Sequence, residues 1–401
     1  MKIVGVAARY LVARPLAAGL NLLLLTLGLA SISFVLLVST QLERAFERDL
    51  AGIDVVVGAK GSPLQLILAG VFHIDVPTGN IPLTAVQELQ KDERVARLIP
   101  ISLGDTFRGF RIVGTTPDYA SHYATRLAGG VMWAQAMQAV VGAQVAANTG
   151  LAVGSSFAGS HGLGGTGHAH GATPYQVTGV LAACGCVLDR LILTATESVW
   201  KVHEKATAPD DQDQKVMEAE REVTLALITY KSPLAAVSFP RFVNATTEMQ
   251  AAAPAVEITR LLRMVGVGTD VLRGFGAVLL LTAGLSVFIA LWNAVRERRA
   301  DLAMLRMLGA PPAKVAGLVV CEALLLALLA VVLGLASGHG LAQLAGYWMQ
   351  VERSLPLTGW IWLPSEWWVC ALGVGVAMLA ALLPALGAYR LDVTTLLNTR
   401  S

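Results

Sequence analysis

The chain has 401 residues, 55% of them hydrophobic and only 14% charged, well under the roughly 25% of a soluble domain. A mean hydropathy of +0.60 points the same way and excludes an ordinary soluble protein. The formal net charge of +2 gives no reason to expect nucleic acid, which calls for a concentrated basic face.

A helix needs about 20 apolar residues to cross a bilayer. The first window that supplies them is 15–40, uncharged between Arg14 and Glu43. Lys2, Arg9 and Arg14 precede it as they would in a signal peptide. A signal peptide's apolar region is only about 7–15 residues long, so this window reads as an uncleaved anchor. Leu42, Phe46 and Leu50 continue its helical spacing as a stalk, closing a first region of 1–50.

Residues 51–253 read as a folded α+β domain. Apolar, β-branched runs predict strands near 53–57, 107–113, 175–181, 191–194 and 223–229. Thr84 and Gln87 have the spacing of a capping box. Gly150 suits the end of a helix over 140–148. Thr196 could cap a helix over 197–204, and Ser232-Pro233 could open another. The apolar run 64–72 reads as a lip of the domain that contacts lipid or a partner, or as part of the domain core, with burial expected. The acidic stretch 206–222 is expected to be a solvated loop running into a helix.

Within this domain lies a Gly-rich run bearing His161, His168 and His170, followed by Cys184-Gly-Cys186. His and Cys are transition-metal ligands, and a glycine-rich tether could bring them together around Zn or Cu. The bland readings are a soluble tether for the histidines and, for the cysteines, a disulfide that one intervening residue would strain, pairing with another protein, or redox chemistry. No other cofactor is called for by the chain.

Residues 254–401 hold the rest. Ile258, Leu261, Leu262 and Val265 recur at helical spacing and lead into a second window, 274–295. A third window, 315–344, is interrupted by Glu322, and a fourth covers 367–389. Gly334 and Gly338 form a G-x-x-x-G in the third window, with Gly373, Gly375 and Ala377 in the fourth. Such small residues permit close helix contact, expected here within the chain. Cys321 and Cys370 are expected to be apolar packers.

Basic residues in short flanks set orientation. The N-terminal flank, the link bearing Arg296, Arg298, Arg299, Arg306 and Lys314, and the tail with Arg390 and Arg400 are basic. The link between the last two windows has only Arg353 beside Glu352. Both termini are therefore expected in the cytoplasm, and 41–273 outside. Trp360, Trp362, Trp367 and Trp368 cluster as an interfacial aromatic belt would.

The fold class expected is a membrane protein with four transmembrane α-helices plus an α+β extracytoplasmic domain inserted between helices 1 and 2. The sequence holds no G-x-x-x-x-G-K-[ST], H-E-x-x-H or G-x-S-x-G, so no catalytic activity is expected of it. Between the second and third windows, 297–310 reads E-R-R-A-D-L-A-M-L-R-M-L-G-A. It predicts a short amphipathic helix that either lies at the interface or docks a soluble partner, apolar knobs in a groove with a charged rim.

That stretch resembles the MacB/FtsX-like permeases of ABC transporters, a family that includes the lipoprotein-releasing permeases. The family pattern there is E-R-R-x-E-I-x-x-L-R-A-L-G-A. Pro384-Ala-Leu-Gly-Ala-Tyr-Arg-Leu-Asp392 is similar to P-A-x-x-A-A-R-x-D-P, with Val393 in place of the usual proline. Arg111-Ile-Val-Gly114, Val141-Gly-Ala-Gln-Val145 with Leu151-Ala-Val-Gly154, and Val177-Thr-Gly-Val180 resemble weaker segments of the outer domain.

The resemblance implies a non-catalytic permease subunit of an ABC transporter in a bacterial inner membrane. Its partners would be a cytoplasmic ATPase dimer that binds ATP, a second permease copy as a homodimer, membrane lipids, and a periplasmic adaptor or substrate protein. Arg298, Arg299, Asp301, Leu302, Leu305, Arg306, Leu308 and Gly309 would form the ATPase-coupling helix. Efflux, lipoprotein or lipid extraction and metal-linked cargo all fit. The alternative is a metal- or ligand-sensing membrane receptor with no ATP coupling, which explains the histidines but leaves the docking helix unexplained.

Overall fold

The computed structural model describes residues 3–161, 173–207, 220–351 and 357–391. His168, His170, most of the acidic stretch, Glu352, Arg353, Asp392, Val393 and Arg400 lie outside the described residues. In chain order the helices are α1 (Ile3–Val12), α2 (Pro15–Leu50), α3 (Pro63–Gly70), α4 (Leu83–Gln90), α5 (Asp118–His122), α6 (Ala143–Thr149), α7 (Thr196–Thr207), α8 (Ala235–Thr246), α9 (Pro254–Glu297), α10 (Arg299–Met307), α11 (Pro312–Val351) and α12 (Glu366–Tyr389). The strands are β1 (Val55–Ala59), β2 (Ile81–Pro82), β3 (Val95–Phe107), β4 (Phe110–Thr115), β5 (Leu127–Gly130), β6 (Gln138–Val141), β7 (Ser156–Phe157), β8 (Ser160–His161), β9 (Tyr175–Leu181), β10 (Leu191–Ala195), β11 (Glu222–Val223), β12 (Leu225–Tyr230) and β13 (Met249–Ala252). The chain divides into two units, one from Met1–Leu42, Met264–Val351 and Leu355–Ser401, the other chiefly from Glu43–Arg263.

In the first unit, α2, α9, α11 and α12 are the four helices among the described residues that are long and apolar enough to cross a membrane. At about 1.5 Å per residue, even the 24 residues of α12 exceed the ~30 Å hydrocarbon core. They pack through small residues. A Cβ on Gly334 would stand 2.7 Å from the Leu29 Cβ, and one on Gly338 would stand 2.8 Å from the Ser33 Cβ. A Cβ on Gly373 would meet Leu29 and Val331 at 2.9 Å. Real side chains do not approach so closely, so glycine at these positions lets the backbones touch. The G-x-x-x-G of α11 is thus used within the chain, against α2. Leu25, Leu29, Leu280, Ala283, Val287, Ala323, Ala330 and Ala381 fill the buried centre.

The second unit is built on an eleven-stranded sheet, in the order β13-β1-β12-β3-β4-β10-β6-β9-β5, with β7 beside β9 and β8 beside β3, while β2 and β11 pair as a separate two-stranded sheet. β3 is 13 residues long and joins two halves. Residues of its first half pair with β12 (Leu98 opposite Ile228), and those of its second half pair with β4 (Leu103 opposite Val113). Each half has its own core. Val55, Val57, Leu98, Ile228 and Phe239 belong to one. Ile112, Val141, Tyr175, Val177 and Ile192 belong to the other.

Several local expectations change. The run 107–113 is not one strand: Arg108 and Gly109, at φ 48° and 79°, form the two-residue turn of a hairpin, where both central residues take positive φ. Pro100 and the polar positions Arg97 and Asp105 hide β3 from a pattern reading. Thr84 caps nothing, because α4 begins a residue earlier with Pro82 at its N-cap. Ser232-Pro233 makes a turn, and α8 starts at Ala235. Gly150 does end α6 in the left-handed conformation, φ 75°. The run 64–72 is in the core through Leu66, Ile67, Val71 and Phe72.

His73 is buried with its Nε2 3.0 Å from the Tyr119 hydroxyl. Burial first, then the nearby Arg111 and Arg190 guanidinium groups, hold its pKa well below the ordinary histidine value. Since the unfolded chain protonates this ring at about pH 6.5 and the fold resists it, stability is lost as pH falls below that value. Lowering pH from 7 to 5 should weaken hydrogen-exchange protection of β4 and β10, by at most about 1.4 kcal/mol per pH unit. His73→Gln should flatten that acid-side loss, and an unchanged pH profile in the variant would refute the assignment.

Candidate functional site

The residues between α9 and α11 are the best-marked candidate. α9 ends at Glu297 and Arg298 stands at the N-cap of α10, with backbone φ −94° and ψ 16°. The Arg298 amide donates back to the Ala294 carbonyl at 3.1 Å, so the corner is tight. At the other end the Gly309 amide donates to Arg306 O and the Ala310 amide to Leu305 O, both at 3.0 Å. Gly309 has φ 91°, which costs a residue with a Cβ about 1–2 kcal/mol. Pro312 then opens α11, where a missing N–H is harmless.

One face of α10 is inside the unit. Arg298 pairs with Glu322 of α11 at 2.9 Å, the side chains only 14% and 7% exposed. The Arg298 guanidinium carbon also lies 3.9 Å from the Tyr10 ring centroid on α1, a cation–π contact strengthened by burial. Leu302 and Ala303 are buried, and Leu305 packs against the same cluster. Arg306 donates through Nη1 to the Leu391 carbonyl just beyond α12. Arg14 pairs with Glu297 beside this corner.

The other face is open. Arg299, Asp301 and Gly309 are exposed, with Met304, Met307 and Leu308 at 51%, 54% and 85%. The eight residues singled out in the sequence are therefore brought together on one helix but divide by role. Arg298, Leu302, Leu305 and Arg306 anchor it, while Arg299, Asp301, Leu308 and Gly309 face outward. Leu302 is buried in the helix bundle and Leu305 is half-buried against it, whereas Met304 and Met307 stand exposed. Periodicity marks an apolar stripe without telling which neighbour covers it.

Of the His and Cys candidates, His161, Cys184 and Cys186 lie among the described residues. His161 closes β8, its backbone opposite Asp105 of β3. Cys184 and Cys186 are joined to each other as a disulfide. A cystine has no thiolate to offer a metal, and the bond closes a covalent turn. Asp189 accepts from the Cys184 and Gly185 amides at 3.0 and 2.7 Å. The Arg48 guanidinium donates to the Gly185 carbonyl, and the Val187 amide donates to Asp49 Oδ1 at 2.9 Å. This turn is thus fastened to the last residues of α2. Among the described residues no group of three His, Cys, Asp or Glu side chains is placed to hold a metal ion.

A membrane protein with four apolar helices, a mixed α/β domain and a two-faced helix between its second and third spans has the makings of a transporter's membrane subunit. The sequence matches the family model "MacB-like periplasmic core domain" over residues 18–229 and "FtsX-like permease C-terminal" over 273–393, and the chain belongs to the MacB/FtsX-like permeases of ABC transporters. No curated protein matches it. Among solved structures, the periplasmic region of MacB from Actinobacillus actinomycetemcomitans is 11% identical, covering 53% of this chain and 95% of that one, with a TM-score of 0.34. The extracellular domain of YknZ, a noncanonic ABC-type transporter from Gram-positive bacteria, is 10% identical, covering 49% and 98%, with a TM-score of 0.30.

Removing one member of a buried ion pair costs about 3–5 kcal/mol, whereas replacing both by apolar groups is often neutral. Glu322→Leu alone should lower thermal resistance in detergent by that amount. Arg298→Leu with Glu322→Leu should recover most of it. Equal losses in the single and double variants would show that the pair does not act as a unit.

Proposed function

We propose that this chain is the permease subunit that couples a separate cytoplasmic ATPase to movement of its extracytoplasmic domain, with α10 as the docking helix. The observation that carries this reading is the division of α10: its inner face is locked by Arg298, Leu302 and Arg306, and its outer face offers Met304, Met307 and Leu308 rimmed by Arg299 and Asp301. Exposed methionines beside charges suit an adaptable apolar groove with a polar edge. A helix so anchored would pass displacement to α11 and α12 instead of rolling on its own axis. Gly309 fixes its length.

In this proposal the basic link and both termini are cytoplasmic, the membrane is the bacterial inner membrane, and the α/β domain between α2 and α9 is periplasmic or extracellular. The permease would act as a homodimer on an ATPase dimer, with an adaptor or substrate protein meeting the outer domain. Arg299→Glu with Met304→Asp and Leu308→Asp should abolish stimulation of the partner ATPase in lipid, with a loss of tenfold or more, while leaving membrane insertion intact. If the triple variant still co-purifies with its ATPase and stimulates it fully, the docking assignment is wrong.

A metal-linked cargo, in this reading, would depend on the histidines, since the cysteines are paired. Zn²⁺ or Cu²⁺ titration of the full chain should then show binding that is lost when His161, His168 and His170 become Ala. Binding unchanged by those substitutions would sink the idea.

A further inference from the structure

Both ring nitrogens of His339, on α11, face oxygen atoms. Nδ1 lies 2.6 Å from the Gly359 carbonyl oxygen and Nε2 lies 2.7 Å from Glu366 Oε1 at the start of α12. A neutral imidazole has one N–H to give, and a carbonyl can only accept. The Gly359 contact therefore fixes a proton on Nδ1. The Glu366 contact then needs a second proton, resting on the imidazole or on the carboxyl. Without it a nitrogen lone pair would face a carboxylate lone pair across 2.7 Å.

The surroundings close around this pair. Glu366 is fully buried and the His339 side chain is 20% exposed. From α2, Ser33 Oγ donates to Glu366 Oε1 at 3.3 Å, and the Leu363 amide donates to Oε2 at 2.9 Å. Trp362 stacks on the imidazole at 6.0 Å and 16°. A Cβ on Gly359 would strike the His339 carbonyl, so a glycine is what brings the connecting residues this close. Gln343, one turn along α11, accepts from the Gly359 amide at 2.9 Å. Among the described residues the other titratable neighbour of Glu366 is the Cys370 thiol, one turn along α12. Among them His339 is the one basic side chain within ion-pair distance of Glu366.

We propose that His339 and Glu366 together bind one proton, and that this proton fastens α2, α11 and α12 to one another. Losing it leaves a buried carboxylate held by one hydroxyl and one amide, an uncompensated charge that destabilises packing. The packed arrangement binds the proton more tightly than the separated helices do. Glu366→Gln mimics the loaded state: its carboxamide N–H donates to a neutral His339 and its oxygen accepts from Leu363, with no carboxyl left to ionise.

The test uses the full-length protein in lipid nanodiscs with isotope-labelled histidine and glutamate. The His339 and Glu366 signals are identified by their absence in His339→Gln and Glu366→Gln. In the packed protein at neutral pH the pair should hold that proton. His339 then appears doubly protonated, or as the Nδ1–H imidazole beside a protonated Glu366 carboxyl. A neutral His339 beside an ionised Glu366 at that pH would overturn the proposal. In parallel, Glu366→Ala should lower the melting temperature of the full-length protein, and Glu366→Gln should restore most of that loss. Equal losses in Glu366→Ala and Glu366→Gln overturn the fastening role.

Discussion

The buried pairing of Arg298 with Glu322 is the interaction on which the rest of the candidate site depends. Charges withdrawn from water stay charged only when geometry and hydrogen bonding compensate them. Here a 2.9 Å contact and the face of Tyr10 do so. The pair fixes the rotation of α10 about its axis. Once Arg298 points in, the 3.6-residue repeat carries Leu302 and Leu305 in after it and turns Met304 and Leu308 out. Which side chains are free for a partner is thus decided by one ion pair at the corner.

Packing among the long helices follows a second constraint. Lipid gives little apolar drive for one helix to leave it for another, so close backbone approach must supply the attraction. Gly334, Gly338 and Gly373 meet Leu29, Ser33 and Val331. The polar groups admitted to this interior, Asn21 with Ser286 at 2.6 Å and Ser33 with Glu366 at 3.3 Å, are bonded to each other across helices.

Much of this could be read from the residues in order. The spans announce themselves because no soluble helix needs so many consecutive apolar residues. Gly150 and Gly309 announce helix ends because only glycine takes positive φ at no cost. What could not be read is where one stretch of chain lies against another. Periodicity gave α10 its stripe without saying that α11 and α12 cover part of it. β3 was hidden because Pro100 and the buried Asp105 break the alternation that marks a strand. His339 was passed over as one polar residue in an apolar window, although a histidine there with a glutamate at the next helix start is a pairing that long-range contact can make. The cysteines could be ligands or a cystine on sequence alone, and their neighbours favour the turn.

That turn has a mechanical consequence. The cystine and its Asp189 brace stiffen a loop that grips the end of α2 through Arg48 and Asp49. Only a single turn of 3₁₀ helix, Val187–Arg190, separates the grip from β10, and β10 lies between β4 and β6 in the middle of the sheet. A pull on the last turn of α2 would therefore enter the domain at a strand paired on both sides, with almost no slack chain to absorb it. Two small sulfur atoms make a flexible tether into a rigid linkage.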